Sequence, residues 1–371
     1  MVRPPSKLPR LTAATLVCLA ALGSPSTAAP APGFGLAGGL PAAPRQGGER
    51  ALGLGDARLD AGPLLLPLPE GTPPDGTPAP DGAAPAPAPP KLFDRKTTLM
   101  SAGLLAVTPV LSYVAWWRND SSSTFTWNPE GWFGRDTYAG GADKASHVVF
   151  AWMAQDLLQR GYGALGKTPR QSRLLALGMA NAMGVLVEVG DGFSKYGFAW
   201  EDLVANAVGS TAGAAVDALG WRDTVGVRFG IVNAEIPPPC CRYGGYGTDY
   251  SREIFTLDLK LAGFLPRVGV KKPGLARFLL ATVSYNTKGY RYSDVDYRQR
   301  NLGLEIGLNL GEVARALGVK DRSWWGGPLL FFLDYFRVPY TSFGMYYDFN
   351  HHEWHGPDTG DQFDPGLIIY D

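Results

Sequence analysis

Three short stretches hold the residues of this 371-residue chain whose types and spacing could do chemistry: Asp143-Lys144-Ala145-Ser146-His147, Glu188-Val189-Gly190-Asp191-Gly192, and Glu201-Asp202 with Asn206. On a helix, Asp143 and His147 stand four apart and share a face, as do Asp202 and Asn206. Three helix ends could thus bring carboxylates, an imidazole and an amide to one place. His147 is the only histidine before residue 351, and in a bundle interior each of its ring nitrogens needs a partner. Beside Glu188, Asp191 and Asp202 it could move protons with a carboxylate orienting it, or ligate a divalent metal through His147, Glu188 and Asp191. Asp143, His147, Glu188, Asp191 and Asp202 are therefore the candidate catalytic residues, with Lys144, Glu201, Asn206 and Gly209 in support. A buried structural network explains the same residues: Asp143 capping its helix, Lys144 paired with Asp202 or Glu188, and Asn206 bonded to backbone.

The other reactive groups are less organised. His351-His352-Glu353-Trp354-His355 places three imidazoles in five residues beside Asp348 and Asp358, a set that could capture a transition metal but reads first as a polar surface turn. Cys240 and Cys241 follow Pro237-Pro238-Pro239 and could form a vicinal disulfide in an oxidising compartment or lie free in a stiff connector. They lack Cys-x-x-Cys spacing. There is no Gly-x-Ser-x-Gly elbow, phosphate loop or His-Glu-x-x-His. Lysine plus arginine balances aspartate plus glutamate at 34 each, so no basic face for nucleic acid is expected.

The elements that would position these groups follow from composition and period. Residues 1–29 read as an export signal, with Arg3, Lys7 and Arg10 before the apolar run Leu11 to Gly23, and small residues at Ser26-Thr27-Ala28-Ala29. Residues 30–90 are dominated by Ala, Pro and Gly, hold too little apolar bulk for a core, and read as a disordered tether. Leu99 to Trp117 is nearly all apolar and ends in a tryptophan pair. It is long enough to span a bilayer, although Pro109 and small residues also fit a buried core helix. Helices are expected at Lys144–Arg160, Gln171–Val189 and Trp200–Leu219. Small residues recur at four-residue spacing (Gly178 with Ala182, Ala180 with Gly184, and Ala205, Gly209 and Gly213 in one row), which lets helix backbones approach closely.

After Trp221 the period becomes two. Val225 to Ile231, Leu257 to Leu261 and Leu302 to Leu310 predict strands with one buried face, and Phe278 to Tyr292 and Leu329 to Phe349 add aromatic-rich candidates. A short helix is expected near Glu312–Leu317. The predicted fold is α+β: a bundle of about four helices over 91–221, open to membrane association, followed by an antiparallel β-rich region over 222–371. Five or six strands fall short of the eight that a small barrel needs.

Two blocks carry a family resemblance. The run Trp132-Phe133-Gly134-Arg135-Asp136-Thr137-Tyr138-Ala139-Gly140-Gly141-Ala142-Asp143-Lys144-Ala145-Ser146-His147 resembles the opening of a bacterial family of predicted periplasmic lipoproteins of unknown function. Asp191-Gly192-Phe193-Ser194-Lys195-Tyr196-Gly197-Phe198-Ala199-Trp200-Glu201-Asp202-Leu203-Val204-Ala205-Asn206 resembles its second signature. The likeness covers roughly 125–220. A more distant likeness to VanZ-like membrane proteins rests on Asp143 and His147, on Glu188 and Asp191, and on Asp202, Asn206 and Gly209. Neither family implies a reaction. Val17 precedes Cys18 where a lipid-modified cysteine follows a small residue, so a lipid anchor at Cys18 is not the expectation.

Together these readings predict an exported protein of the periplasm or outer membrane of a Gram-negative bacterium, a structural or interaction module whose partner is membrane lipid or another envelope component. The alternatives are an envelope lipid or glycan hydrolase or transferase using the His/carboxylate cluster, and a small outer-membrane barrel-like protein.

Overall fold

A computed structural model describes residues 91–118, 120–231, 250, 253–290 and 298–358. The signal and tether readings, and the Cys240–Cys241 reading, fall outside these residues.

Helix α1 (Arg95–Ser112) starts where Asp94 accepts the Thr97 amide at 2.9 Å, and Lys167 ties that cap down at 2.7 Å. Pro109 ends no turn here. The chain runs on through it and loosens only at Tyr113–Trp117, a π turn that carries the tryptophan pair. Helix α2 (Ala142–Ala164) is entered through Tyr138–Gly141, whose Ala139, Gly140 and Gly141 all have positive φ. Glycine at 140 and 141 makes that left-handed entry cheap. A Cβ on Gly140 would run into the Tyr290 ring, and the Tyr285 hydroxyl donates to the Gly140 carbonyl at 2.5 Å. The entry to α2 is thereby clamped to the sheet.

Helix α3 (Pro169–Gly192) opens with a Thr168/Gln171 capping box and proline in its first turn. Helix α4 is Trp200–Ala218. Helix α2 packs against both. Gly209 earns its place in the small-residue row, since a Cβ there would strike the Val148 carbonyl of α2, and Gly213 abuts Trp152. Gly178 faces open space, so its spacing with Ala182 reflects no close approach. Leu158, Tyr162, Leu175, Ala176 and Met179 fill the α2–α3 interface, with Met100 and Leu104 of α1 against them.

The sheet has seven strands: β1 (Val225–Ile231), β2 (Glu253–Lys260), β3 (Leu279–Lys288), β4 (Gln299–Leu308), β5 (Phe336–Arg337), β6 (Ser342–Asp348) and β7 (Glu353–Asp358). Their order is β5-β1-β2-β3-β4-β6-β7, antiparallel throughout except for β1 with β5. Three helices are interleaved: α5 (Leu261–Arg267), α6 (Leu310–Ala316) and α7 (Gly326–Tyr335). The fold is α+β as expected, but helices are spread through the chain, so a bundle followed by a purely β region is not the arrangement. The expected short helix near Glu312–Leu317 is α6. The expected strand over Leu329 to Phe349 is divided: its apolar start folds as α7, and only its later part is strand.

The alternation of apolar and polar residues is present, but the face it buries is the polar one. Strand registers align Val227, Leu257, Val283, Leu304 and Met345 in one row and Val225, Leu259, Ala281, Ile306 and Phe343 in the next. Helix α2 lies against β1, β2 and β3 at one end of this face, where Val149, Trp152 and Met153 meet Val227 and Phe255, and the Phe150 and Phe229 rings lie 5.0 Å apart. Further along, Leu304 is 53% and Ile306 59% exposed, with Val283, Leu308, Phe343 and Met345 also outside.

The opposite face is buried and polar. Arg228 grips Asp258 with two bonds at 2.6 and 2.9 Å, Thr282 donates to Asp258 at 2.7 Å, and Asn301 donates to Asn286 at 2.9 Å. Arg337 of β5 reaches Glu305 of β4 at 3.4 Å, although four strand spacings, about 19 Å in a flat sheet, separate them. The sheet is therefore strongly curled around its polar face. Among the described residues no pairing joins β5 to β7.

Candidate functional site

The chain brings three segments to one buried ammonium. Lys144, 1% exposed at the start of α2, lies 2.7 Å from Asp143 Oδ2, 2.5 Å from Asp202 Oδ1 of α4 and 2.5 Å from Glu130 Oε2 of the preceding loop. Glu130 and Asp143 accept its hydrogen bonds and Asp202 adds an ion pair, whereas any one of these carboxylates buried alone would be costly. The hydroxyl of Tyr250 donates to Asp143 Oδ1.

His147 sits one turn along α2. Its Nδ1 is 3.1 Å from the Asn206 side-chain oxygen, which can only accept, so Nδ1 carries the proton. Its Nε2 faces Asp143 Oδ1 at 3.7 Å and Asp202 Oδ2 at 3.8 Å. The two i,i+4 pairs foreseen on helices, Asp143 with His147 and Asp202 with Asn206, thus converge on one imidazole.

Electrostatics divide the carboxyls. Burial pushes Glu130 up to about 8, helped by the Asp143 charge and opposed by Lys144. Burial likewise takes Asp202 up to about 6 against the pull of His147 and Lys144. Burial works against ionised Asp143 too, but His147 and Lys144 outweigh it and hold that carboxyl below the usual range. Burial also disfavours charged Lys144, yet Asp143, Asp202 and Glu130 keep it protonated far above neutrality.

The remaining candidates stand apart from the His147 pocket to different degrees. Asp191 Oδ1 accepts the indole N–H groups of Trp117 at 2.6 Å and Trp116 at 3.2 Å, which fixes the π turn after α1. Glu188 is 1% exposed, and its Oε1 has no hydrogen-bond partner among the described residues. Glu201 accepts the Gly131 amide at 3.1 Å and so holds the loop that delivers Glu130. The group able to share an ion with His147 is Asp143 and Asp202, not Glu188 and Asp191. At the far end, His351 pairs with buried Asp348 at 2.5 Å and His355 lies 3.6 Å from Glu353. Among the described residues this second histidine group forms no metal-holding cluster.

Glu130 and Tyr250 escaped the reading of the sequence. Glu130 lies in a loop with no helical spacing to Lys144, and Tyr250 is 107 residues from Asp143. The available signal was indirect: Lys144 is the sole cation within an acidic set and needed more than one partner.

Residues 129–218 match the model of a family described as Predicted periplasmic lipoprotein (DUF2279). Both signature blocks lie inside that match. It supports an exported, periplasmic protein and assigns no activity. The likeness to VanZ-like proteins rests on the residue pattern alone. No curated protein and no solved structure matches the chain.

Proposed function

We infer that this is an exported envelope protein seated in a membrane, with the outer membrane as the site and lipid as the partner of its curled sheet. The observation that carries the reading is the inverted sheet. In water, the Leu304, Ile306, Leu308, Phe343 and Met345 surface would gain by burial, at roughly 25 cal/mol per Å², while the buried Arg228–Asp258 and Arg337–Glu305 pairs carry a desolvation cost. Apolar residues outward and polar residues inward is the arrangement of strands that face lipid.

Two further features support it. The segments Arg95–Trp117 and Pro169–Gly192 are long and apolar enough to cross a membrane, and only 17% and 22% of their apolar windows are buried, unlike the core helices of a soluble protein. Trp324, Trp325 and Trp354 are exposed aromatics of the type that settle at a membrane–water boundary. The helical layer would then present the Lys144 network from a fixed position at the membrane.

The test is fractionation of cells expressing the full chain on a density gradient, followed by an alkaline wash. The protein is expected with the outer-membrane fraction and resistant to the wash. Release into the soluble periplasmic fraction would overturn the reading.

A further inference from the structure

We propose that Asp143, His147 and Asp202 form a binding site for one divalent transition-metal ion. Asp143 Oδ1, His147 Nε2 and Asp202 Oδ2 lie within 4.8 Å of one another. Metal–ligand bonds of about 2.0–2.2 Å place adjacent donors roughly 3.0–3.5 Å apart, so His147 needs a few tenths of an ångström to close on each carboxylate and the two carboxylate oxygens about 1.3 Å at most.

A purely structural ion network explains this geometry less well. A protonated Nε2 would draw one carboxylate oxygen to about 2.8 Å. Instead the ring stands nearly equidistant from two oxygens, at 3.7 and 3.8 Å, too far to hydrogen-bond to either. With Nδ1 directed at the Asn206 side-chain oxygen, Nε2 faces two carboxylates, an arrangement that a cation between them would satisfy. The same Asn206 contact is the outer-shell support that orients a ligating imidazole. The oxygens of Asp143 and Asp202 not facing His147 are both held by Lys144, which fixes the carboxylates, and Asp143 Oδ1 also accepts the Tyr250 hydroxyl.

Glu188, 1% exposed and outside that donor set, has an Oε1 with no hydrogen-bond partner among the described residues, and Asp202, Asp191 and Asp143 lie close enough to act on its charge. One imidazole and two carboxylates suit Zn(II), Mn(II) or Co(II). Three protein donors leave a position open for water or substrate, and His147 retains partial exposure toward it.

The test uses the full chain, purified in detergent without a histidine tag, stripped with chelator and titrated with Co(II) followed by optical absorption, with Zn(II) as competitor. One equivalent of Co(II) is expected, with visible d–d bands that Zn(II) abolishes. His147→Gln and Asp202→Asn should each weaken binding about 100-fold or more, and Asn206→Ala about 10–100-fold. Replacing His351, His352 and His355 together by alanine should change nothing. Circular dichroism checks each variant's fold. Should the ligand variants fail to fold, the wild-type stoichiometry and Asn206→Ala decide. Absence of a stoichiometric site, unchanged affinity in a folded His147→Gln or Asp202→Asn chain, or loss of binding in the triple-alanine chain would overturn the proposal.

Discussion

Replacing Lys144 by methionine keeps the length of the side chain while removing the charge that three carboxylates share. In the native chain those oxygens lie 2.5 to 2.7 Å from Nζ, and the ammonium is shut off from water. Breaking a buried ion pair by removing one partner costs about 3–5 kcal/mol. Part of that is recoverable by proton uptake, because Glu130 and Asp202 already titrate near 8 and 6. The loss should therefore be about 3 kcal/mol at pH 6 and larger at pH 8.5, where protonation no longer relieves the unpaired charges. For a folded region of this size, about 3 kcal/mol lowers the melting temperature by roughly 6–12 °C. Guanidinium unfolding in detergent, followed by tryptophan fluorescence at both pH values, measures the difference. A loss below about 1 kcal/mol at pH 8.5, or one independent of pH, would refute the claim that Lys144 holds the network together.

Other perturbations separate the parts of the account. Gly209→Ala forces a methyl group into the Val148 carbonyl and should cost about 1–3 kcal/mol, whereas Gly178→Ala, in open space, should be neutral or stabilising by up to about 1 kcal/mol; thermal melts of the pair distinguish close approach from mere spacing. Ile306→Arg on the outer sheet face should destabilise by about 2–4 kcal/mol if lipid covers it, against about 0.5 kcal/mol or less for a water-facing site. Because the folded chain raises the Glu130 pKa from 4.5 to about 8, its contribution is present below about pH 4.5 and is lost as pH rises through 8. Stability of the chelator-treated chain should fall across that window by up to about 1 kcal/mol per pH unit, and Glu130→Gln should flatten the slope.

Much of the helical layer was legible because its signals are local. Helices expected at Lys144–Arg160, Gln171–Val189 and Trp200–Leu219 lie within a few residues of α2, α3 and α4, and the small-residue row through Gly209 is one that contact with α2 demands. The cluster was legible where helix spacing expresses it, in Asp143 with His147 and Asp202 with Asn206. Glu130 and Tyr250 come from outside the helices and have no period to betray them. The sheet exposes a different gap. Alternation in Leu302 to Leu310 predicts a strand equally well whichever face is buried, since a period of two carries no sign. What decides the sign is the curl that brings Arg337 to Glu305, a contact between strands far apart in the sheet. The α7 segment misled for a related reason: a short apolar aromatic run lacks the length to separate helix from strand.

Lipid contact at the outer face of the sheet can be read directly. Single cysteines at Leu304, Ile306 and Phe343, in a chain whose native cysteines are serine, can be labelled with an environment-sensitive fluorophore and reconstituted into vesicles. Brominated lipid should quench all three labels while aqueous iodide leaves them bright, and a label at exposed Trp221 should behave the opposite way. Efficient iodide quenching at Leu304, Ile306 and Phe343, with no effect of brominated lipid, would contradict the claim that this face lies in a membrane.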